Sequence, residues 1–439
     1  MTQKSGTGAA SLRIALPQRL VKLEALKVRV ERERRERRRK RRGKRGGREF
    51  RSTARLVGER VSAMMTMSFV ADVVPGDLHA KRVESIAGGV MGVLQAGSVA
   101  VSAIGKGYAS FNDGVAKHGV KQVDRMLSNA GIDLDAFFAT WIPSVLANAK
   151  EVVLAMDWTE FERDGQSTLA LTAMTDHGRG TPFFWRTYHT AEFADGGRTD
   201  AEDEVLLMLR ALLPSELGVT LVADRGFGDQ ALFSLLNEWG WNYVIRFRGN
   251  THVTDARGTT KLASEWLAPS GRATKLESVT LTRDDTSVPA VVCVKAKDMK
   301  DAWFLATSLD ELPTTKLVAL YGKRFSIEET FRDLKDTRYG LGMHGIRVKR
   351  TDRRDRMIML FAIAHSLLTL LGAASERIGY DKALRVNTVK RRTHSLFTQG
   401  KFYYECIPNM SDGRLKPLIK AYVDILRTHP TLSILCQVP

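Results

Sequence analysis

Cysteine is scarce in this sequence of 439 residues, and the three that occur, Cys293, Cys406 and Cys436, are widely spaced. Neither a disulfide framework nor a zinc site is predicted from such spacing, and we expect reduced thiols. A GxxxxGK[ST] motif is also lacking, so no nucleotide cofactor is indicated. The N-terminus lacks an apolar leader with a small-residue cleavage site, which leads us to expect a cytoplasmic protein.

Long apolar runs are few. Residues 357–374 are about long enough to cross a bilayer, but His365 and Ser366 lie within them. A buried core helix is favoured over a membrane span, with His365 as a hydrogen-bonded core residue and no membrane partner. A membrane-surface protein is disfavoured as well, because the basic arm lacks an amphipathic lipid-binding face.

Acidic residues are outnumbered by basic ones, 49 against 67, which gives a formal net charge of +18. Half of that excess lies in residues 31–48, where twelve Arg or Lys accompany three Glu, and the other half is spread over the chain. This balance predicts a polyanionic partner, either nucleic acid or an anionic membrane surface. A basic but merely solvated surface is the simpler alternative.

Composition and periodicity divide the chain into four regions. Residues 1–50 are predicted to be a basic, flexible arm, and 51–150 a helical domain. Residues 151–377 alternate strands and helices and contain a β-rich insertion at 249–313. The last region, 378–439, is predicted to be helical.

The third region predicts an α/β fold. Apolar runs and turn signals give the order β-β-β-α-β-α-β over residues 151–248. Three hairpin strands followed by crossovers form a mixed sheet flanked by helices. One long helix is expected at about 314–338 and another at about 352–377.

Three carboxylates stand out against this pattern. Asp157 is expected at the end of the first strand and Asp224 at the end of the fourth, so both side chains can share one metal cluster. Glu328 lies on the predicted helix after the insertion, within a series that reads Tyr321-x2-Arg324-x3-Glu328-x6-Lys335. On one continuous helix these four side chains fall within an arc of roughly 60°.

Two interpretations of this helix face remain open. Glu328 completes a metal site while Tyr321, Arg324 and Lys335 grip phosphates. Alternatively, the face is an ordinary solvated surface on which Arg324 and Glu328 form an i,i+4 ion pair.

The segments LAMDWTEF around Asp157 and VADRGFGD around Asp224, together with the Tyr-Arg-Glu-Lys series, resemble the insertion-sequence DDE transposases that carry this signature. The resemblance covers roughly residues 85–405. It implies a ribonuclease H-like sheet with a β-rich insertion between the second Asp and the Glu, in agreement with the order inferred above. The arginine-rich stretch 31–48 matches no part of the family pattern.

The resemblance also implies roles for individual residues. Asp157, Asp224 and Glu328 correspond to the metal-binding catalytic triad. The residues expected to contact the transposon-end backbone are Tyr321, Arg324 and Lys335. Trp303 falls where related enzymes stack a flipped base, although a buried strand tryptophan is the alternative. Residues 117–129 are similar to part of the family's N-terminal DNA-binding region, which implies that 51–150 of this chain is a DNA-binding domain. The similarity implies DNA contacts by Lys117, Lys121 and Arg125.

Phosphodiester chemistry on three carboxylates suits two Mg²⁺ ions about 3.5–4 Å apart, for which Mn²⁺ is expected to substitute. Without metal the acids repel one another, so an incomplete site is expected. The resemblance implies cut-and-paste transposition through hairpin ends, and a homodimer bound to double-stranded transposon ends and target DNA, with residues 378–439 as a candidate dimerisation region. Competing hypotheses are a ribonuclease H-like nuclease without strand transfer and a non-catalytic DNA-binding protein derived from a transposase.

Overall fold

A computed structural model of the chain describes residues 53–112, 114–193, 197–282, 286–427 and 434–435. The predicted basic arm at 1–50 and Cys436 lie outside these residues. The described residues from Thr53 onward belong to one compact unit, so the described parts of the three predicted regions that follow the arm pack together.

A mixed sheet forms the centre of this unit. Its ten strands follow the order β3-β2-β1-β4-β5-β10-β9-β8-β6-β7. Their bounds are β1 Glu151–Phe161, β2 Gln166–Ala173, β3 Thr181–His189, β4 Gly218–Ala223, β5 Asn242–Arg246, β6 His252–Thr254, β7 Thr260–Leu262, β8 Thr274–Leu281, β9 Thr286–Val294 and β10 Trp303–Thr307.

The pairing confirms the predicted α/β class. Strands β1, β2 and β3 form an antiparallel meander, while β4 pairs parallel with both β1 and β5. The insertion does not form a separate layer, because β10 pairs antiparallel with β5 and extends the same sheet through β9 and β8. The short strands β6 and β7 lie at the far edge.

Twelve α-helices lie within the described residues. They are α1 Thr53–Val73, α2 Ala80–Ala96, α3 Val101–Phe111, α4 Ala116–Leu127, α5 Leu134–Leu146, α6 Arg198–Leu212, α7 Gln230–Glu238, α8 Thr314–Lys323, α9 Ser326–Lys335, α10 Thr351–Arg377, α11 Leu396–Cys406 and α12 Asp412–Arg427. The five helices that precede the sheet occupy the region in which periodicity predicts them.

Two predicted boundaries are wrong in ways that matter for function. Asp157 does not end its strand, because β1 continues to Phe161 through antiparallel pairing with β2. The predicted helix at 314–338 is two helices, α8 and α9, separated at Arg324 and Phe325. Tight turns replace the regular ladder there, since the amide of Ile327 donates to the carbonyl of Arg324 at 2.9 Å.

Helix α10 is the core helix of the fold. By length and apolarity it resembles a membrane span, but 94% of its most apolar window is buried inside the protein. Its neighbours include α2, α11, α12 and β3. The buried-helix interpretation of residues 357–374 is therefore supported.

His365 of α10 departs from expectation. The side chain is fully buried, as predicted, and its ring stacks on Phe397 with centroids 4.5 Å apart. Neither ring nitrogen has a hydrogen-bond partner, so the prediction of a hydrogen-bonded histidine is wrong. Burial lowers the pKa of His365 to about 3, and the ring is therefore neutral.

Helices α10 and α11 cross with their backbones in contact. A Cβ atom built on Gly400 of α11 would lie 1.7 Å from the carbonyl oxygen of Leu368, and one on Gly372 of α10 would lie 1.9 Å from that of Leu396. Only glycine fits at both positions, because the obstructing atoms belong to the backbone and cannot rotate away.

Candidate active site

Two neighbouring strands bring Asp157 and Asp224 together. The parallel ladder between β1 and β4 ends at the pair Met156 and Ala223, and each aspartate is the next residue. Adjacent strands lie about 4.8 Å apart, so the two side chains leave the sheet side by side. Asp224 is held by the amide of Gly226, which donates to its Oδ1 at 2.7 Å, and a Cβ at Gly226 would lie 3.1 Å from that oxygen.

Arg324 joins the first aspartate to Glu328. Its Nη1 lies 3.2 Å from Oδ2 of Asp157, and its Nη2 lies 2.8 Å from Oε1 of Glu328. The Arg324 side chain is only 6% exposed, whereas that of Glu328 is 47% exposed. The i,i+4 ion pair of the simpler interpretation is therefore present, but its cation is buried and shared with an acid on the sheet.

The environment of Asp157 disfavours its negative charge. The pKa of Asp157 is raised to about 6, mainly by burial and also by the charges of Asp224 and Glu328, although Arg324 and the Trp158 amide lower it. Below about pH 6 this carboxyl is protonated and binds cations poorly. The acids thus form an electrostatically coupled group in which one guanidinium supplies the compensating charge.

The donor set fits a hard divalent cation, since Mg²⁺ and Mn²⁺ prefer carboxylate oxygen. As the side chains stand, no three Asp, Glu, His or Cys within the described ranges are close enough together to hold a metal ion. The Arg324 guanidinium lies between Asp157 and Glu328, so a cation bound by both would displace it. The arrangement is that of a carboxylate site closed by an internal cation.

We expect Arg324→Gln to lower the free energy of unfolding by about 2 kcal/mol in EDTA, between the values for exposed and buried ion pairs. Without the guanidinium the carboxylates repel one another, and Mg²⁺ then relieves more repulsion than in the wild type. Urea unfolding of both proteins, with and without Mg²⁺, measures this difference.

Arg332→Gln is the matched control, because Arg332 lies on α9 and pairs with Glu329 at an exposed position. It should change stability little and leave the Mg²⁺ effect unaltered. Equal Mg²⁺ stabilisation of wild type and Arg324→Gln would show that the cation and Arg324 do not compete.

Three aromatic side chains pack together here, and the Arg324 guanidinium lies against two of them, Tyr321 and Phe325. Trp303 packs edge-on against Tyr321 at 4.8 Å between ring centroids and lies 6.1 Å from Phe325. Tyr321 is completely buried, and burial raises its pKa. In this structure its ring supports Trp303 rather than facing solvent. Trp303 itself is only partly buried, unlike an ordinary core residue.

Phe325 was missed by sequence reasoning. Its side chain is 41% exposed, and the Arg324 guanidinium carbon lies 5.0 Å from its ring centroid. The available signal was an apolar residue directly after Arg324, which does not fit the helix periodicity. Together Trp303 and Phe325 present aromatic surface beside the acids.

Lys335 lies at the other end of α9. Its ammonium donates to the carbonyl of Glu160 at 2.6 Å and lies 4.8 Å from the ring centroid of Phe161. Burial lowers its pKa. Lys335 thus holds the end of β1 against α9, four residues beyond Asp157.

A second missed residue, Glu202 of α6, holds the strand on its other side. Its Oε1 accepts a 2.6 Å hydrogen bond from Nε1 of Trp158, the residue after Asp157. Burial raises the pKa of Glu202 to about 7 despite this hydrogen bond. Because Trp158 follows Asp157 directly, the contact fixes the strand where the aspartate projects.

The predicted DNA-binding lysines and arginine lie on α4, apart from the acids. Lys117, Lys121 and Arg125 are all exposed on one face of the helix. Lys121 and Arg125 line a surface groove together with Ser85, His118, Gln122, Met126 and Asn129. The groove is basic and open to solvent.

The chain matches a known protein family. The family model described as "Transposase DDE domain" matches residues 148–367, half of the chain. The matched span contains all three acids, Arg324 and Lys335. No curated protein matches the sequence significantly.

Proposed function

The chain belongs to the transposase DDE domain family, and we propose that it cuts a mobile DNA element at its ends and joins the ends to target DNA. The observation that carries this proposal is the pairing of Arg324 with both Asp157 and Glu328, beside the neighbouring strand end that carries Asp224. More specifically, the chain is proposed to use the Tyr-Arg-Glu-Lys signature and a cut-and-paste route with hairpin intermediates.

Two divalent ions, preferably Mg²⁺, would be held by Asp157, Asp224 and Glu328. Bound there, such ions activate the attacking oxygen and stabilise the leaving oxygen of a phosphodiester. By holding such ions, the carboxylates would fix where the phosphate oxygens sit. Asp224 is already oriented by the amide of Gly226.

Arg324 would give up its carboxylate partners and bind a phosphate of the DNA backbone instead. Its guanidinium is fully compensated in this structure by Asp157 and Glu328. With Asp157 and Glu328 engaged in holding divalent ions, the guanidinium would be free to accept a phosphate, which its planar fork suits. Lys335 would add a second contact to the same strand, and Tyr321 would act by supporting Arg324 and Trp303.

Trp303 is proposed to stack a base that is flipped out of a tight hairpin. A hairpin end is strained, and stacking on an aromatic ring offsets part of the unstacking cost. Trp303 is suited to this because it is partly exposed, braced by Tyr321, and accompanied by the exposed ring of Phe325.

We expect Trp303→Ala to reduce hairpin formation about tenfold to a hundredfold, the cost of one base–aromatic contact, while the first nick changes little. Quenched time courses on denaturing gels separate the two products. The melting temperature serves as the control, since a core tryptophan would lower it strongly. Equal loss at both steps with a lowered melting temperature would refute a stacking role.

Double-stranded transposon ends are proposed to lie along the basic face of α4. Lys117, Lys121 and Arg125 supply exposed positive charge there. Two copies of the chain would each contact both ends in a paired complex, with residues 378–439 contributing to dimerisation.

The proposed function is tested with the purified chain, Mg²⁺ or Mn²⁺, and duplexes that carry the inverted repeats flanking its gene. Nicks at the repeat boundary, hairpins, and joined products in a target plasmid are the expected results. Cleavage without joining would favour a ribonuclease H-like nuclease, and binding without cleavage a non-catalytic DNA-binding protein.

A further inference from the structure

A second basic surface lies between the short turn Tyr380–Leu384 and α11. Residues 385–394, here called the basic segment, contain four Lys or Arg and no Asp or Glu. The segment lies within the region proposed to contribute to dimerisation, and the proposed function gives it no contact with DNA.

The basic segment is anchored to the loop at 175–180. The amide of Leu396, just beyond the segment, donates to the carbonyl of His177 at 3.3 Å. Arg392 donates to the carbonyl of Asp176 at 3.4 Å and forms two 2.9 Å contacts with Glu376. The segment therefore has a defined position rather than hanging from the surface.

The same loop contacts α8 and α9 beside the acids. Lys323 pairs with Asp176 at 2.6 Å, and Arg179 pairs with Asp333 at 2.6 Å. Lys323 directly precedes Arg324, which bridges Asp157 and Glu328. Through Asp176, which contacts both Arg392 and Lys323, the loop connects the basic segment to the residue that precedes Arg324 on the N-terminal side of α9, whereas Arg179 of the same loop reaches along α9 to Asp333.

Two cations of the segment are uncompensated. Arg385 pairs with Asp381 and Arg392 with Glu376. Lys390 and Arg391 are exposed, and within the part of the chain that the structure describes their side chains form no ion pair or hydrogen bond. Their charge is available to a polyanion.

The α4 surface approaches the opposite end of α9. Lys335, at the C-terminal end of α9, and Arg354 of α10 both lie against the ring of Phe161, at 4.8 and 3.8 Å from its centroid. The neighbouring Arg353 pairs with Asp124 of α4 at 2.7 Å. Basic surfaces therefore flank both ends of α9, a ten-residue helix about 15 Å long that carries Glu328.

We propose that the basic segment, through Lys390 and Arg391, contacts the backbone of the target duplex. This inference rests on the proposed function, in which a transposon end occupies the α4 side of the acids. Strand transfer needs a second duplex at the same phosphate-reacting position, and that duplex must approach from the side that the first leaves open.

The test is the double substitution Lys390→Ala/Arg391→Ala in the full chain, assayed with pre-cleaved ends so that joining is measured apart from cleavage. Joining to a plasmid target should fall about tenfold. Raising the salt from 50 to 200 mM should reduce joining by a factor about ten times smaller in the variant than in the wild type, as the loss of two phosphate contacts predicts. Cleavage of intact ends should stay within about twofold. The double substitution Arg257→Ala/Lys261→Ala removes the same charge from exposed positions in the β6–β7 hairpin, at the far edge of the sheet, and should leave both steps unchanged.

Unchanged joining would overturn the inference. Cleavage reduced as much as joining would also overturn it, because the segment would then contact a transposon end instead of the target. A parallel measurement follows binding of a random-sequence duplex while end DNA is saturating. If the wild type neither cleaves nor joins, the proposed function fails. Loss of second-duplex binding by Lys390→Ala/Arg391→Ala would still uphold the surface, whereas unaltered binding would refute it.

Discussion

Glu328→Gln is expected to reduce cleavage at a transposon end on the order of a thousand-fold or more, while end binding stays within a few-fold. The amide is neutral and nearly isosteric, so it removes a charged metal ligand without changing the shape of α9. Folding should be preserved because the Glu328 side chain is 47% exposed and its pair with Arg324 adds little stability. Single-turnover cleavage on gels and fluorescence anisotropy measure the two quantities.

The neighbouring residue provides a matched control. Glu329 lies on the same helix and pairs with Arg179 at 3.5 Å and Arg332 at 2.6 Å, away from the aspartates. Glu329→Gln should cleave at nearly the wild-type rate. Full Mg²⁺-dependent cleavage by Glu328→Gln would remove Glu328 from the catalytic group and leave the proposed reaction without its third ligand.

Gly400→Ala is expected to lower the free energy of unfolding by about 3 kcal/mol, the upper part of the range for overpacked cores. The added methyl would lie 1.7 Å from the carbonyl oxygen of Leu368 and 2.6 Å from its carbonyl carbon. No side chain can yield, so α10 and α11 must separate and lose contact along their crossing. Urea denaturation followed by circular dichroism measures the effect.

Gly413→Ala, in α12, is the companion substitution, since a Cβ there has nothing within 4 Å. It should be neutral or stabilise by up to about 1 kcal/mol, because alanine favours helix and restricts the unfolded chain. If Gly400→Ala and Gly413→Ala unfold at the same urea concentration, the close crossing of α10 and α11 is incorrect.

The sheet and the meeting of two aspartates were predictable because their signals are local. Asp157 and Asp224 each follow an apolar run of strand length, and parallel neighbours in an α/β sheet place the residues after them side by side. The extension of β1 to Phe161 was not predictable from that run. It depends on pairing with β2, in which Asp157 lies opposite Ala170.

The arrangement around Arg324 was only partly predictable. Periodicity places Tyr321, Arg324 and Glu328 on one face of a continuous helix, but the chain breaks that helix at Arg324. At this break Arg324 pairs with Asp157, which is 167 residues away in the sequence, and no local sequence pattern predicts that contact. Likewise, helical periodicity does not predict which residues of another element pack against a helix face. The burial of Tyr321 beneath Trp303 is therefore seen only in the structure.

The insertion shows the same limit. Its strands β8, β9 and β10 were evident as apolar runs, but the pairing of Leu305 with Arg246 that attaches them to the central sheet is a long-range contact. Their membership in one ten-stranded sheet follows from that contact alone.

The enclosure of α10 bears on how the protein is made. The helix emerges from the ribosome before α11 and α12, two of the helices that cover it, have been synthesised. Until then an 18-residue apolar stretch lacks part of its shield and is a natural substrate for chaperones. A product terminated just before residue 396 retains every proposed catalytic side chain but leaves that stretch partly uncovered, and we expect it to aggregate. We therefore expect such a stop codon to eliminate the protein instead of yielding a shortened competitor for the same DNA.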